Sequence, residues 1–183
     1  PDHRENLRGR GLTDAEIKAL GYKSTRTVGM TQITAELEQE GYALAGVPGF
    51  FRTDTGIWRF TINIRGILIP VRNPNGQIQG LQVRLDNMKK RKFRWASSTG
   101  LKDGCKAESW VHLAGAISEE ILLTEGPMKA DVIHALTGKT VLAVPGVNSL
   151  TQLEAALEEY RVYLPNVDDM TDKEAAEYNS RLV

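Results

Sequence analysis

Two short β-prone runs, Ile121-Leu122-Leu123-Thr124 and Thr140-Val141-Leu142-Ala143-Val144, flank a stretch that opens with Pro127 and closes with Gly138, and this arrangement narrows the possible folds more than any other feature. Proline suits the first turn of a helix, where its missing N–H has no partner to lose, and glycine supplies the left-handed residue that ends one. The spacing predicts a short buried strand, a helix to about Leu136 and a second strand. Ser149 is placed to cap a further helix to about Glu159, and Val162-Tyr163-Leu164 is a third strand candidate. Strands joined by such connections make right-handed crossovers and lie parallel, with binding sites expected at their carboxyl ends.

The chain upstream has a different texture. Thr13-Asp14-Ala15-Glu16 has the form of a capping box, so a short helix should follow with Ile17 and Leu20 on one face and stop at Gly21. A second helix is expected from about Thr31 to Glu40, with Ile33 and Leu37 on one face and Gly41 as its left-handed cap. After Tyr42 come segments rich in β-branched and aromatic residues, Ile57 to Ile64 and then Gly66 to Arg72. Asn75-Gly76 separates Gly66–Arg72 from Ile78–Leu85 and predicts a β-hairpin whose turn places both residues at positive φ. In its second strand Gln82 and Arg84 share a face that can meet a ligand, while Leu81, Val83 and Leu85 share the face that packs. Lys92 to Ala96 reads as one more strand. The expected organisation is an α/β protein with a helical leader (1–41), a β-rich basic subdomain (42–116) and a parallel sheet with flanking helices (117–183).

A chain of 183 residues can bury roughly 70% of its unfolded surface, so it needs no covalent staple. Cys105 is the single cysteine, which excludes a disulfide scaffold and a Cys-based zinc finger and points to a reducing compartment. No apolar run approaches the ~20 residues of a membrane span, and the charged opening lacks a signal-peptide core, so a cytoplasmic location is expected. The start at Pro1 suggests a piece of a longer polypeptide. The net charge is zero, yet the charges are segregated: six basic residues against Asp86 alone between Arg84 and Arg94, and eight acids against Arg161 and Lys173 between Glu154 and Glu177. Local asymmetry of this kind matters more for partners than the total.

Glu125-Gly126 falls at the carboxyl end of the first strand of the α/β unit, and Gly126 removes a side chain that would block a phosphate. The alternative is a carboxylate that only complements the positive end of the next helix. Two further turns belong on the same rim, Pro145 to Ser149 and Pro165 to Asp169. Mg²⁺ or Mn²⁺ takes oxygen ligands from one or two carboxylates, which Glu125 with Asp168 or Asp169 can supply; the two aspartates equally suit the first turn of a last helix. Lys129, one turn along its helix, is placed to meet phosphate or water, and Asp131 is expected to face solvent. Phe93 and Trp95 alternate with Lys92 and Arg94, combining stacking surface with charge as single-stranded nucleic acid or nucleotide requires, or as a guarded strand edge would. His3, His112 and His134 are scattered and carry no assigned role.

Leu123-Thr124-Glu125-Gly126-Pro127-Met128-Lys129-Ala130 followed by Ala143-Val144-Pro145-Gly146-Val147-Asn148-Ser149 resembles the first half of a Toprim domain, the metal-dependent module of bacterial primases, topoisomerases and some nucleases. Gly66 to Arg72, Gly76 to Gly80, Arg84 and Lys92 to Ser98 resemble, in the same order, the segment before Toprim in bacterial replicative primases. Arg10 to Ile17 with Leu20-Gly21-Tyr22 is similar to the helical start of that core. The nearest overall likeness is to the Toprim-like domain of plasmid, phage and integrative-element replication proteins.

The resemblance implies a primase-like core that binds single-stranded DNA and, with Mg²⁺ or Mn²⁺, nucleotide triphosphates for RNA primer synthesis, alongside a replicative helicase or further domains of the same polypeptide. It would make Glu125 catalytic and metal-binding, with Arg84, Lys92, Arg94, Trp95 and Lys129 holding nucleic acid or nucleotide. Where the family has Asp-x-Asp after the third strand, this chain has Pro165-Asn166-Val167-Asp168-Asp169, so Asp168 and Asp169 either substitute in the catalytic metal site or leave it incomplete. Two rival functions follow: a noncatalytic nucleic-acid-binding module, and a nuclease in which the same acids activate water. The Toprim part also stops short of a full domain, and the zinc ribbon of primases has no counterpart.

Overall fold

The longest paired surface in the molecule is a hairpin of β4 (Gly66–Arg72) and β5 (Ile78–Leu85), at the centre of a four-stranded antiparallel sheet completed by β1 (Lys23–Ser24) beside β4 and β6 (Phe93–Trp95) beside β5. The structure is a computed structural model that describes residues 3–86, 88, 92–146 and 150–160. The hairpin forms as expected, but its turn differs. Only Gly76 takes positive φ, at 74°, and the Asn73 side chain accepts from the amides of Asn75 and Gln77. Asn73 thereby replaces the second left-handed residue, since an Asx turn satisfies the loop amides without forcing Asn75 to positive φ.

The two faces of this sheet have different cover. Ile67 and Ile69, both 0% exposed, pack with Leu7 of α1 (His3–Arg8), Ile17 of α2 (Asp14–Leu20), Leu12, Tyr22 and Met128. The opposite face holds Val83, Leu85 and Ala96 against Ile62. The capping box of α2 is present, with the Thr13 hydroxyl accepting from the Glu16 amide and Glu16 reaching back, and Gly21 closes the helix at φ 79°. Helix α1 carries no periodic signal of its own length and was not expected; Leu7 in the core and the buried His3, bonded to Ser24 and Asp86, anchor it.

A second helix of the expected kind, α3 (Met30–Gln39), docks through the buried Thr34 hydroxyl, which donates to the Trp58 carbonyl at 2.9 Å. Its target is a small hairpin of β2 (Phe50–Arg52) and β3 (Trp58–Phe60), with Phe50 and Phe60 rings 4.9 Å apart. The strand expected over Ile57–Ile64 is thus only Trp58–Phe60, because Ile62 leaves the ladder to fill the core beneath Val83 and Ala96.

The C-terminal unit is a three-stranded sheet ordered β7 (His112–Ala114), β9 (Thr140–Val144), β8 (Ile121–Glu125). β8 and β9 are parallel, joined by helix α4 (Pro127–Thr137), while β7, too short to show a period, adds an antiparallel strand. Ala130 of α4 packs on Val141 and Ala143, and Ala156 and Tyr160 of α5 (Leu150–Tyr160) pack on Leu142, so alternate residues of β9 serve the two helical layers. β8 was expected to be buried; among the described strands it lies at the edge, with Leu123 58% exposed. The Ser149 cap and the third strand fall outside the described residues. Among the described residues no helix is long and apolar enough to cross a membrane.

Candidate functional site

β8 ends at Glu125, paired in register with Val144 at the end of β9. The next residue, Gly126, sits at φ 86° and ψ 130°, a conformation that side-chain-bearing residues rarely take, and its amide donates to the Val144 carbonyl at 2.8 Å. That sharp turn starts α4 at Pro127 and sets Glu125, Gly126 and Lys129 at the carboxyl end of the parallel pair, next to Pro145. Facing them are Gln82 of β5, Phe93 of β6 and Arg10 from the leader. Together with Met128 they line a pocket of about 140 Å³ between the two sheets.

The lining is chemically mixed. Glu125, Lys129 and Arg10 are exposed, and Phe93 is 49% exposed. Gln82 is only 4% exposed, and its carboxamide makes no hydrogen bond to any described residue. Cross-strand neighbours share a sheet face, so the pairs Gln82–Trp95 and Arg84–Phe93 put all four side chains on one side of the sheet. Trp95 lies there half-buried, edge-on to Trp110 with ring centroids 5.6 Å apart, over Gly80. Arg94 pairs with Val83 and so belongs to the opposite face, and Lys92 is exposed just before β6. The pocket thus gathers Glu125 and Lys129 of the expected site residues, with Arg84 beside it and Trp95 on the same face. Lys89, Lys90, Arg91, Asp168 and Asp169 lie outside the described residues.

Among the described residues no three His, Cys, Asp or Glu side chains converge on a point, and Glu125 is the one carboxylate lining the pocket. A single carboxylate with open space beside it fits a Mg²⁺ or Mn²⁺ ion that keeps water and takes phosphate oxygens, rather than a closed all-protein cage.

Asp131, expected in solvent, is instead 2% exposed. Its carboxylate accepts from the Tyr22 hydroxyl at 2.5 Å and lies 3.0 Å from His112 Nε2. The Arg72 amide donates to His112 Nδ1 at 3.0 Å, so the ring hydrogen is on Nε2 and points at Asp131. Burial, followed by the Asp131 charge, pushes the Tyr22 phenol far above its usual range. Asp131 is buried because α4 is covered by the leader as well as by its own sheet. The other two histidines also have structural partners: His3 bridges Ser24 and Asp86, and His134 contacts the Lys139 carbonyl. Arg10 was missed as a pocket residue, since no local signal marks it and only the packing of the leader on α4 brings it there.

No family model and no curated protein matches the chain by sequence. Its fold does match solved structures. The RNA polymerase domain of Mycobacterium tuberculosis primase DnaG superposes with a TM-score of 0.62 at 17% identity, over 89% of this chain and 54% of that one. The zinc-binding and RNA polymerase domains of the Aquifex aeolicus primase give 0.59 at 15% identity, over 84% and 39%. A DnaG primase catalytic domain bound to single-stranded DNA gives 0.51 at 17% identity, over 85% and 52%. The chain spans about half the length of the M. tuberculosis domain it matches. Its mixed α/β architecture is similar to about half of the catalytic core of bacterial DnaG primases.

Proposed function

We propose that this chain is the nucleotide- and template-binding part of a primase-like core, drawn from a mobile-element replication protein, that binds single-stranded DNA and nucleotide triphosphates for RNA primer synthesis. The observation that carries the reading is the pocket itself: Glu125 at a strand end, Lys129 and Arg10 as cations, and Phe93 as a stacking surface, all within one cleft. Two solved neighbours of the same fold are complexes with DNA, one with a double-stranded oligomer and one with a single strand. Lys129 and Arg10 hold the phosphates. Arg84 and Phe93, adjacent on one sheet face, hold the template strand by charge and stacking. Glu125 would hold the divalent ion, completed by Asp168 or Asp169. When bound, that ion neutralises triphosphate charge and lowers the pKa of an attacking hydroxyl.

The test is primer synthesis on a single-stranded template with Mn²⁺, using the chain with and without Glu125→Gln. Loss of synthesis with retained DNA binding supports the reading. A second reading, a noncatalytic binding module, is favoured by the single carboxylate among the described pocket residues. It predicts DNA binding that neither Mn²⁺ nor Glu125→Gln alters, and no synthesis from either protein.

A further inference from the structure

Gln82 stands out in the pocket. It is on β5, held between β4 and β6 by pairing with Ile69 and Trp95, so its backbone cannot shift. It is 4% exposed, yet among the described residues its carboxamide has no hydrogen-bond partner, and it lines the pocket. Its polar atoms are not among the fully enclosed ones, of which Thr61 Oγ1 alone lacks a partner among the described residues, so the carboxamide meets whatever enters the pocket. A rigid, unpaired donor and acceptor beneath a cleft is what a site built to hydrogen-bond a ligand provides.

The remaining lining decides which part of a nucleotide it meets. A nucleotide has three chemistries: phosphate, base and sugar. Arg10 and Lys129 are the groups that suit phosphate, and the base pairs with the template strand held along Arg84 and Phe93. Arg10 and Lys129 are taken up by phosphate and Glu125 by the divalent ion in the reading above, which leaves the carboxamide for the sugar hydroxyls, donating through its NH₂ and accepting through its oxygen. The pocket, at about 140 Å³, is smaller than the ~300 Å³ of ordinary ligand clefts, so it takes one ring-sized part of the ligand and leaves the rest on the surface. We propose that Gln82 hydrogen-bonds a ribose hydroxyl of the bound nucleotide and so selects ribonucleotides over deoxyribonucleotides. This rests on the nucleotide reading of the pocket given above.

The experiment is equilibrium binding of ATP, dATP, GTP and dGTP, each with Mn²⁺, to the full chain and to Gln82→Met, which keeps the side-chain volume and removes both hydrogen-bonding groups. The wild type should bind each ribonucleotide about ten-fold more tightly than its deoxy counterpart, the worth of one well-made hydrogen bond. Gln82→Met should weaken ATP and GTP until the ratio is within about two-fold, with dATP and dGTP unchanged. Equal ratios in the two proteins overturn the proposal, as does a change in the ATP-to-GTP ratio, which would make Gln82 a reader of the base. If Gln82→Met fails to fold, Gln82→Asn withdraws the amide by one methylene and is read the same way. Lys129→Ala separates the two claims: if it weakens all four nucleotides while Gln82→Met leaves the sugar ratio intact, the pocket stands and the sugar contact falls. Absence of binding by the folded wild type to all four overturns both.

Discussion

Asp131 and His112 meet across 3.0 Å with side chains 3% and 1% exposed, and the pair ties helix α4 to strand β7. The Tyr22 hydroxyl on the same carboxylate extends the tie to the leader, and the Arg72 amide on His112 extends it to the β4–β5 sheet. Two donors from distant parts of the chain are thus satisfied by one buried acid. Removing it leaves the tyrosine and histidine donors unpaired in a dry site. Asp131→Ala should cost about 3–5 kcal/mol, and Tyr22→Phe about 1.5–3 kcal/mol, read by urea denaturation. The double variant should cost less than the sum, since both act on one network. Additive losses would show that the three groups are independent.

Gly80 faces both Trp95 and Trp110. A Cβ there would stand 2.5 Å from the Trp110 ring and 3.1 Å from that of Trp95. The rings are not flexible ends that swing aside, since each supports the other edge-on. Gly80→Ala should destabilise by about 1–3 kcal/mol and shift tryptophan emission, because one indole must move toward solvent. An unchanged emission spectrum with unchanged stability would contradict the packing described.

These two sites show what the sequence reveals and what it hides. Thr13, Glu16, Gly21, Pro127 and Gly138 act through their immediate neighbours, and each ends or starts a helix where the sequence places it. The β4–β5 pairing follows from strand period and turn residues. Asp131, Arg10 and the strand β7 depend on packing between segments distant in the chain. Tyr22 is 109 residues from Asp131, and no local pattern encodes that meeting. Glu125 and Lys129 were legible because a strand end followed by Gly-Pro fixes their position locally; that Gln82 and Phe93 face them depends on how the two sheets dock.

The leader has an acid-labile tie. Asp14 lies between Arg8 and Arg4, and the Arg8 hydrogen bond, opposed by desolvation and aided by Arg4, holds its carboxyl below the usual range. Glu16 is lowered chiefly by the Thr13 amide. Groups with depressed folded-state pKa values contribute stability that is fully present above their unfolded values, near 3.8 and 4.5, and is lost as pH falls through the lower folded values. Thr13→Ala should lower stability by about 1 kcal/mol at pH 7, measured by thermal melting. Its effect should be smaller in acid, once pH has fallen through the lowered Glu16 pKa and protonation has weakened the reciprocal bond. An equal loss at both pH values would exclude a role for the carboxylate.

Arg84 and Arg94 of the basic stretch should behave differently with DNA, although the sequence groups them together. Arg84 shares a sheet face with Phe93 and Gln82, whereas Arg94 shares its face with Val83. A strand lying along the pocket face can bring its phosphates to Arg84 while its bases stack on Phe93. For single strands each phosphate contact adds about 0.7 to the slope of log affinity against log salt. Arg84→Ala should therefore lower the slope by about that amount, and Arg94→Ala by less than half of it. Phe93→Ala should weaken binding by about 1–3 kcal/mol without changing the slope, because stacking releases no counterions. The measurement is fluorescence anisotropy of a labelled single strand across a salt series. If Arg94→Ala proves the larger change, the strand runs over the opposite face and the pocket is not part of its path.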